Sequence, residues 1–360
     1  MITSLISIFL LGLLVIVHEY GHFVMARRAG VRVLRFSIGF GPRLLTWTRG
    51  HTEYAISAIP LGGYVKMAGE QREQGEPQPW DYIAKPIGTR AGIVFAGPFV
   101  NYLVAFLGLW VLFVTGYPEL LPVVGKVLEG MPAQTAGIQT GDRVTAIDGR
   151  AIRTWEDMTK LIYRSPDRPL RLQVNRKGAM QSITLTPKPK PMTDPFGRAK
   201  TVGLIGIAPS GAFQSTKVGP IKAIGRAVHQ QNEWLSQTLL SLWSLVTGRI
   251  SMRDSVTGPI GIVYLTSEAV RMGLAPVLSL VSLFSLSLAL FNVFPIPILD
   301  GGHLFFLALE KLRGSPVSLK VQERSAQVSF VLIVTFALFI CINDVSRFGL
   351  FEKLFGWAKP

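Results

Sequence analysis

Four stretches of the chain carry no Lys, Arg or Asp over a length that can cross a bilayer, for which about 20 residues are needed. They are residues 2–26, interrupted only by Glu19, then 91–117, 272–299 and 325–343. Between the first two, residues 27–90 change period. Val31 to Ile38 alternates apolar and basic positions, Leu44 to Thr48 and Glu53 to Ile59 are strand-like, and Leu61-Gly62-Gly63-Tyr64-Val65 closes the unit. Residues 67–90 read as a polar connection. Residues 121–208 mix strand and helix signals without a span. Across 218–249, Ile221, Ile224, Val228, Leu235, Leu239, Leu242 and Val246 recur near helical spacing. The pattern predicts a polytopic α-helical membrane protein with about four transmembrane helices, a β-structure beside the first, and one inserted α+β domain.

The first span ends in His18-Glu19-Tyr20-Gly21-His22. On a helix, residues four apart share a face. Two neutral imidazoles placed so can bind one Zn²⁺, and the carboxylate beside them can take a proton from a water molecule that the ion polarises. A bare polar patch at the headgroups is the plainer reading. A second cluster favours the metal. The third stretch runs into Asn292-Val293-Phe294-Pro295-Ile296-Pro297-Ile298-Leu299-Asp300-Gly301-Gly302, and Asp300 is the first charge after Arg271. Two His leave zinc one protein ligand short of the usual catalytic three, and a carboxylate at the end of a span needs a partner.

These two clusters resemble the site-2 protease family of intramembrane zinc metalloproteases, and the segment between them resembles its bacterial RseP type. The resemblance implies that His18, His22 and Asp300 hold zinc, that Glu19 is the general base, and that Asn292 holds substrate near the metal. Gly97-Pro98-x-x-Asn101, opening the second span, also resembles a family feature. On composition alone residues 27–90 read equally as a small cytoplasmic hairpin; the resemblance implies a β-structure re-entering the membrane face, which survives there only if it is buried in protein or lines a cavity.

Composition narrows the class. The 360 residues are 49% hydrophobic, and the formal charge is +15. That charge is not read as a nucleic-acid footprint. Arg27, Arg28, Arg32, Arg35, Arg43 and Arg49 follow the first span, and Lys311, Arg313, Lys320 and Arg324 separate the last two. Basic residues flanking spans mark the cytoplasmic side. The expected topology puts the N-terminus and residues 121–208 outside a bacterial inner membrane, with both motifs towards the cytoplasm. The first span is not read as a cleavable leader, since no Lys or Arg precedes it. The single cysteine, Cys341, excludes a disulfide framework and reads as apolar filler.

Residues 121–208 resemble a bacterial PDZ domain. The signal is Gly130-Met131-Pro132-Ala133, then Gly141-Asp142-Arg143-Val144, then Asp148-Gly149, followed by a helix over Thr154 to Tyr163 and a hairpin around Arg176-Lys177-Gly178. Such domains capture extended peptides or C-termini by strand addition; a spacer that only shields the membrane core is the alternative. Val202 to Ile207 is the candidate carboxylate loop. The 218–249 helix, with Trp234 and Trp243, is expected to lie on membrane lipid at the outer face. His51 and His229 read as solvated or interfacial residues; His303, three residues past Asp300, reads as a plain cytoplasmic-face residue, with a partner to Asp300 as the lesser alternative.

The function expected is therefore that of an intramembrane metalloendopeptidase using Zn²⁺. Its substrates would be single-span transmembrane proteins, such as anti-sigma factors or signal-peptide remnants. A catalytically silent PDZ membrane adaptor is the alternative, and a metal transporter is weaker still, because its spans would need more polar groups.

Overall fold

The computed structural model describes residues 2–70, 76–194, 197–251 and 256–347. Contacts divide the chain into two compact units. One comprises Met1–Val111, Ile224–Leu235 and Ser255–Pro360; the other comprises Leu112–Ala223 and Ser236–Asp254.

The first unit carries the membrane helices. Among the described residues, four helical segments are long and apolar enough to cross a bilayer: Ile8–Arg28, Ile87–Thr115, Leu274–Val293 and Leu319–Val345. They belong to α1 (Ile2–Arg28), α2 (Ile87–Thr115), α7 (Leu274–Val293) and α9 (Leu319–Arg347). The apolar stretch 272–299 is not one helix. Helix α6 (Pro259–Met272) precedes it, Gly273 breaks the chain with φ 108°, and α7 stops at Val293. Pro295 and Pro297 lack an N–H and push the residue before each into extended backbone, so 294–299 runs as an irregular link. Asp300 therefore does not end a span. It opens a new helix, α8 (Asp300–Arg313), whose C-terminus is closed by Gly314 at φ 73°.

Two long strands, β1 (Val33–Arg49) and β2 (Thr52–Met67), pair around the exposed Gly50-His51 turn. Both bend, so Phe36 pairs with Tyr54 on one side and Val65 on the other. The result is four strand segments in the order 63–67, 33–38, 52–57 and 43–49. Glu53 sits between Arg35 and Arg43, at 2.8 and 2.7 Å. Phe23, Ala26, Val31, Val33, Phe36, Met67 and Ile93 form a core between this sheet and the helices.

Asp344, fully buried in α9, accepts hydrogen bonds from the Gly258 and Gly261 N–H groups, both at 3.0 Å. Those N–H groups open α6, so the positive end of that helix compensates a carboxylate that would be costly elsewhere in an apolar span. Helix α5 (Pro220–Val246) inverts the soluble pattern. Ile224 and Val228 are exposed, whereas Ala227 and Gln231 are buried, and Gln231 donates to the Tyr102 carbonyl at 3.0 Å.

The second unit is α+β. Strands β5 (Arg143–Ile147), β6 (Arg150–Ala151), β7 (Leu170–Arg176) and β8 (Ala179–Leu185) form an antiparallel sheet in the order β6-β5-β7-β8. Strand β7 buries Leu170, Leu172 and Val174 and exposes Arg171 and Gln173, the alternation of a half-buried strand. Helix α4 (Trp155–Tyr163) starts from a Thr154/Asp157 capping box and buries Met158 and Ile162, one turn apart. Shorter antiparallel pairs complete the unit: β3 (Tyr117–Leu120) with β12 (Phe213–Thr216), β4 (Val124–Val127) with β11 (Ile207–Pro209), and β9 (Lys188–Thr193) with β10 (Ala199–Leu204). Val202 to Leu204 lie within β10. Gly206, at φ 79°, packs against the Met131 side chain.

Candidate metal centre

The His-Glu-x-x-His segment lies in the last three turns of α1, so His18 and His22 stack on one face and are both 7% exposed. Their Nε2 atoms are 3.2 Å apart. Asp300 Oδ2 lies 2.9 Å from His18 Nε2 and 3.4 Å from His22 Nε2. Three buried atoms with lone pairs thus converge on one point. Tetrahedral zinc with bonds of about 2.0–2.2 Å sets its donors roughly 3.3–3.6 Å apart. The observed separations lie at or just below that range, so the two imidazoles and the carboxylate fit one zinc ion.

Local structure accounts for each position. His22 Nδ1 lies 2.9 Å from the Ile93 carbonyl, which only accepts, so the ring donates there and leaves Nε2 free. Gly97 of α2 faces the two imidazoles, and a Cβ at that position would overlap both rings. Asp300 reaches the site because Gly301 and Gly302 pack directly on the carbonyls of Val293, Phe294 and Ile296, which folds the Pro-containing link back on itself. Glu19, half-buried, accepts a hydrogen bond from the Val65 N–H on the outermost segment of the β1–β2 sheet.

Glu19, His22 and Asp300 open into a cavity of about 460 Å³. Its far wall includes Glu70, Tyr82, Arg90, His303 and Glu310. Arg90 and Glu310 form a two-pronged ion pair, 2.5 Å at its shorter arm. Burial pushes the Tyr82 hydroxyl well above the usual phenol range, so it stays protonated at this wall.

Comparison with known proteins decides the class. A model of peptidase family M50 matches residues 6–336. The chain belongs to peptidase family M50. Members similar to it include a protein of Rhizobium meliloti (strain 1021), provisionally named a zinc metalloprotease, at 36% identity over 94% of this chain and 95% of that protein. The regulator of sigma-E protease RseP of Escherichia coli (strain K12) is 31% identical over 94% of this chain and 97% of its own. The regulator of sigma E protease of Salmonella typhimurium (strain LT2) is also 31% identical, with the same coverage. The alignment with the Escherichia coli protein runs over 443 positions, more than the 360 residues here, so that relative carries additional sequence. As a member of M50 the chain is a site-2-type zinc metalloprotease, a hydrolase of peptide bonds, and its described residues include four helices long and apolar enough to cross a membrane.

The structure brings together four of the five residues singled out from the sequence: His18, Glu19, His22 and Asp300. Asn292 does not join them in the cavity wall; it is half-buried in the last turn of α7. His303, exposed as the plain surface reading expects, also lines the cavity with Asp300, the placement that the partner reading needs. The sequence alone does not single out Arg90 and Glu310. A charge at the mouth of the second span was the available signal, but its partner lies 220 residues away.

Proposed function

We propose that this M50 member is an intramembrane endopeptidase of a bacterial inner membrane, acting on the transmembrane segment of single-span proteins. The observation that carries this reading is the convergence of His18, His22 and Asp300 beside Glu19 at the end of a membrane-spanning helix. In this reading the three residues hold zinc. The ion, when bound, supplies Lewis acidity to the scissile carbonyl and to water. Glu19 opens into the cavity, where its carboxylate takes the proton of the attacking water and returns it to the leaving amide nitrogen.

A peptide bond inside a helix is already hydrogen-bonded and shielded, so the substrate must unwind. The 63–67 segment offers strand backbone next to Glu19, through the Val65 N–H contact. A substrate strand added along that edge would bring its backbone to the carboxylate. Asn292 is assigned to holding the unwound segment. The second unit is read as a single extracytoplasmic PDZ domain, on the strength of its Gly-Asp turn, capped α4 and β7–β8 hairpin. It would take a peptide or C-terminus, or exclude substrates with bulky outer domains. The α5 apolar stripe would rest on lipid. Both basic clusters, by the bias of cytoplasmic flanks towards Lys and Arg, support a metal site towards the cytoplasm. The name of the sigma-E relatives points to an anti-sigma factor as one substrate type, and signal-peptide remnants are another.

The test is cleavage of a short-ectodomain, single-span reporter in cells, comparing wild type with Glu19→Gln at equal membrane levels. The reading expects cleavage by wild type and a loss of at least about a hundredfold in the variant, given what a positioned general base contributes. Intact reporters in both strains, together with absence of zinc from purified wild type, would sink it in favour of a PDZ membrane adaptor.

A further inference from the structure

Each imidazole offered to a metal through Nε2 must, when neutral, carry its proton on Nδ1. That N–H then needs an acceptor, because a buried donor without one costs about 1–3 kcal/mol. His22 has its acceptor in the Ile93 carbonyl. His18 Nδ1 faces the side-chain amide of Asn101, 3.4 Å from Nδ2. Two N–H donors would confront each other there. Asn101 is fully buried, and its Oδ1 is at the same time a buried acceptor with no hydrogen-bond partner among the described residues. A half-turn of the amide about χ2 resolves both faults at once: Oδ1 moves to the Nδ1–H of His18, and the orphaned acceptor is satisfied.

From this geometry we infer that Asn101 is a positioning residue for the metal centre. Its side-chain oxygen accepts from His18 Nδ1–H, which holds the ring in the tautomer and orientation that present Nε2. The inference rests on His18, His22 and Asp300 being the zinc ligands. Asn101 lies one turn after Gly97 on the same face of α2, so one face of one helix supplies space for both rings and an acceptor for one of them. A purely structural role belongs to its main chain, whose carbonyl accepts from Ser285 Oγ of α7 at 2.8 Å. Side-chain substitution leaves that bond in place.

The full-length protein in detergent can separate these roles. Zinc affinity is measured by chelator competition for wild type, Asn101→Leu, Asn101→Asp and Ser285→Ala, with proton and nitrogen-15 histidine spectra reporting which ring nitrogen is protonated and whether its N–H is hydrogen-bonded. Partners of metal-bound imidazoles typically change affinity 10–100-fold when lost. Asn101→Leu, of similar size but without an acceptor, is expected to weaken zinc by that factor and to remove the hydrogen-bonded, low-field position of the His18 Nδ1–H signal. Asn101→Asp, which keeps an acceptor, should stay within a few-fold of wild type, and Ser285→Ala should not change affinity. Wild-type affinity and an unshifted, hydrogen-bonded Nδ1–H signal on His18 in the Leu variant would overturn the inference, as would equal loss of zinc in the Leu and Asp variants. Should the Leu variant not fold, the wild-type spectrum decides: a zinc-loaded His18 whose Nδ1–H is not hydrogen-bonded overturns it. Failure of wild type itself to bind zinc would instead strike the ligand assignment.

Discussion

Three lone-pair donors held within 3.4 Å of one another are costly as bare polar groups beside a span and well placed to hold a cation. The space for this comes from a residue with no side chain. Gly97→Ala would push a methyl group against both imidazoles, and overpacking of this kind costs about 1–3 kcal/mol where neighbours cannot yield. The expected outcome is zinc affinity reduced at least tenfold with the protein still inserted in the membrane, read by chelator competition on purified material. Zinc binding equal to wild type would show that the rings can shift freely. At this scale the sequence was informative about chemistry and silent about support. His18, Glu19 and His22 are legible because i, i+4 spacing on a helix is fixed by geometry, and Asp300 because an isolated carboxylate beside a span needs a partner. Gly97 and Asn101 stood out as a motif, yet what they touch depends on how α2 lies against α1, which spacing within one helix cannot encode.

Between elements, the Arg90–Glu310 pair ties the start of α2 to α8, the helix that begins with Asp300. Ten residues at a rise of about 1.5 Å put Glu310 roughly 15 Å along the axis from Asp300, so the pair sets the direction of the helix rather than touching the donors. Arg90→Ala would leave Glu310 without its partner in a largely enclosed wall, a change that costs about 3 kcal/mol or more. Lower thermal stability and faster zinc loss are expected, with partial recovery in the double variant Arg90→Glu, Glu310→Arg. If the single variant retains zinc as wild type does, α8 is held by other contacts. In the second unit, Asp142 is buried beneath Arg176, whose Nε and Nη2 bond its two carboxylate oxygens at 2.8 and 2.7 Å. Burial opposes the charge, but Arg176 and the Gln139 N–H outweigh it and hold the carboxyl below the usual range. A depressed carboxyl stabilises the fold above its unfolded pKa of about 3.9, and that contribution is lost as pH falls through the lower folded value. Asp142→Asn should therefore weaken hydrogen-exchange protection in β5 and β7 at neutral pH, and the gap from wild type should close below about pH 4. A constant gap down to pH 2 would refute the linkage. The strand segments of β1 and β2 were legible from alternation. Their order in the sheet, and the reversal at Pro295 and Pro297 that starts α8 at Asp300, were not, because both follow from non-local closure.

At the scale of the molecule, the side chains left bare say what surrounds it. Val328, Phe330, Val331, Leu332 and Leu338 of α9 are each at least 56% exposed, a surface tenable in lipid and costly in water. The four spans and the inserted second unit were legible because an uncharged apolar run of about 20 residues matches the thickness of a bilayer and exceeds what a small soluble core can bury. A protease in this setting meets its substrate as a helix, with every backbone group already paired. Strand addition beside Glu19, as proposed above, would require those bonds to open before any cleavage. Residues that weaken a helix reduce that cost, by about 1 kcal/mol for Gly and about 3 for Pro relative to Ala. Reporters differing only in the middle of the span should therefore be cut in the order Pro- or Gly-containing, then mixed, then all-Leu. Two Gly residues would give about a tenfold to thirtyfold advantage where opening limits the rate, since each 1.4 kcal/mol is a factor of ten. The comparison needs reporters matched for insertion and expression, and Glu19→Gln as the blank. Equal cleavage of the all-Leu span would mean that unwinding is not the barrier, and the 63–67 edge would lose its assigned part in binding substrate.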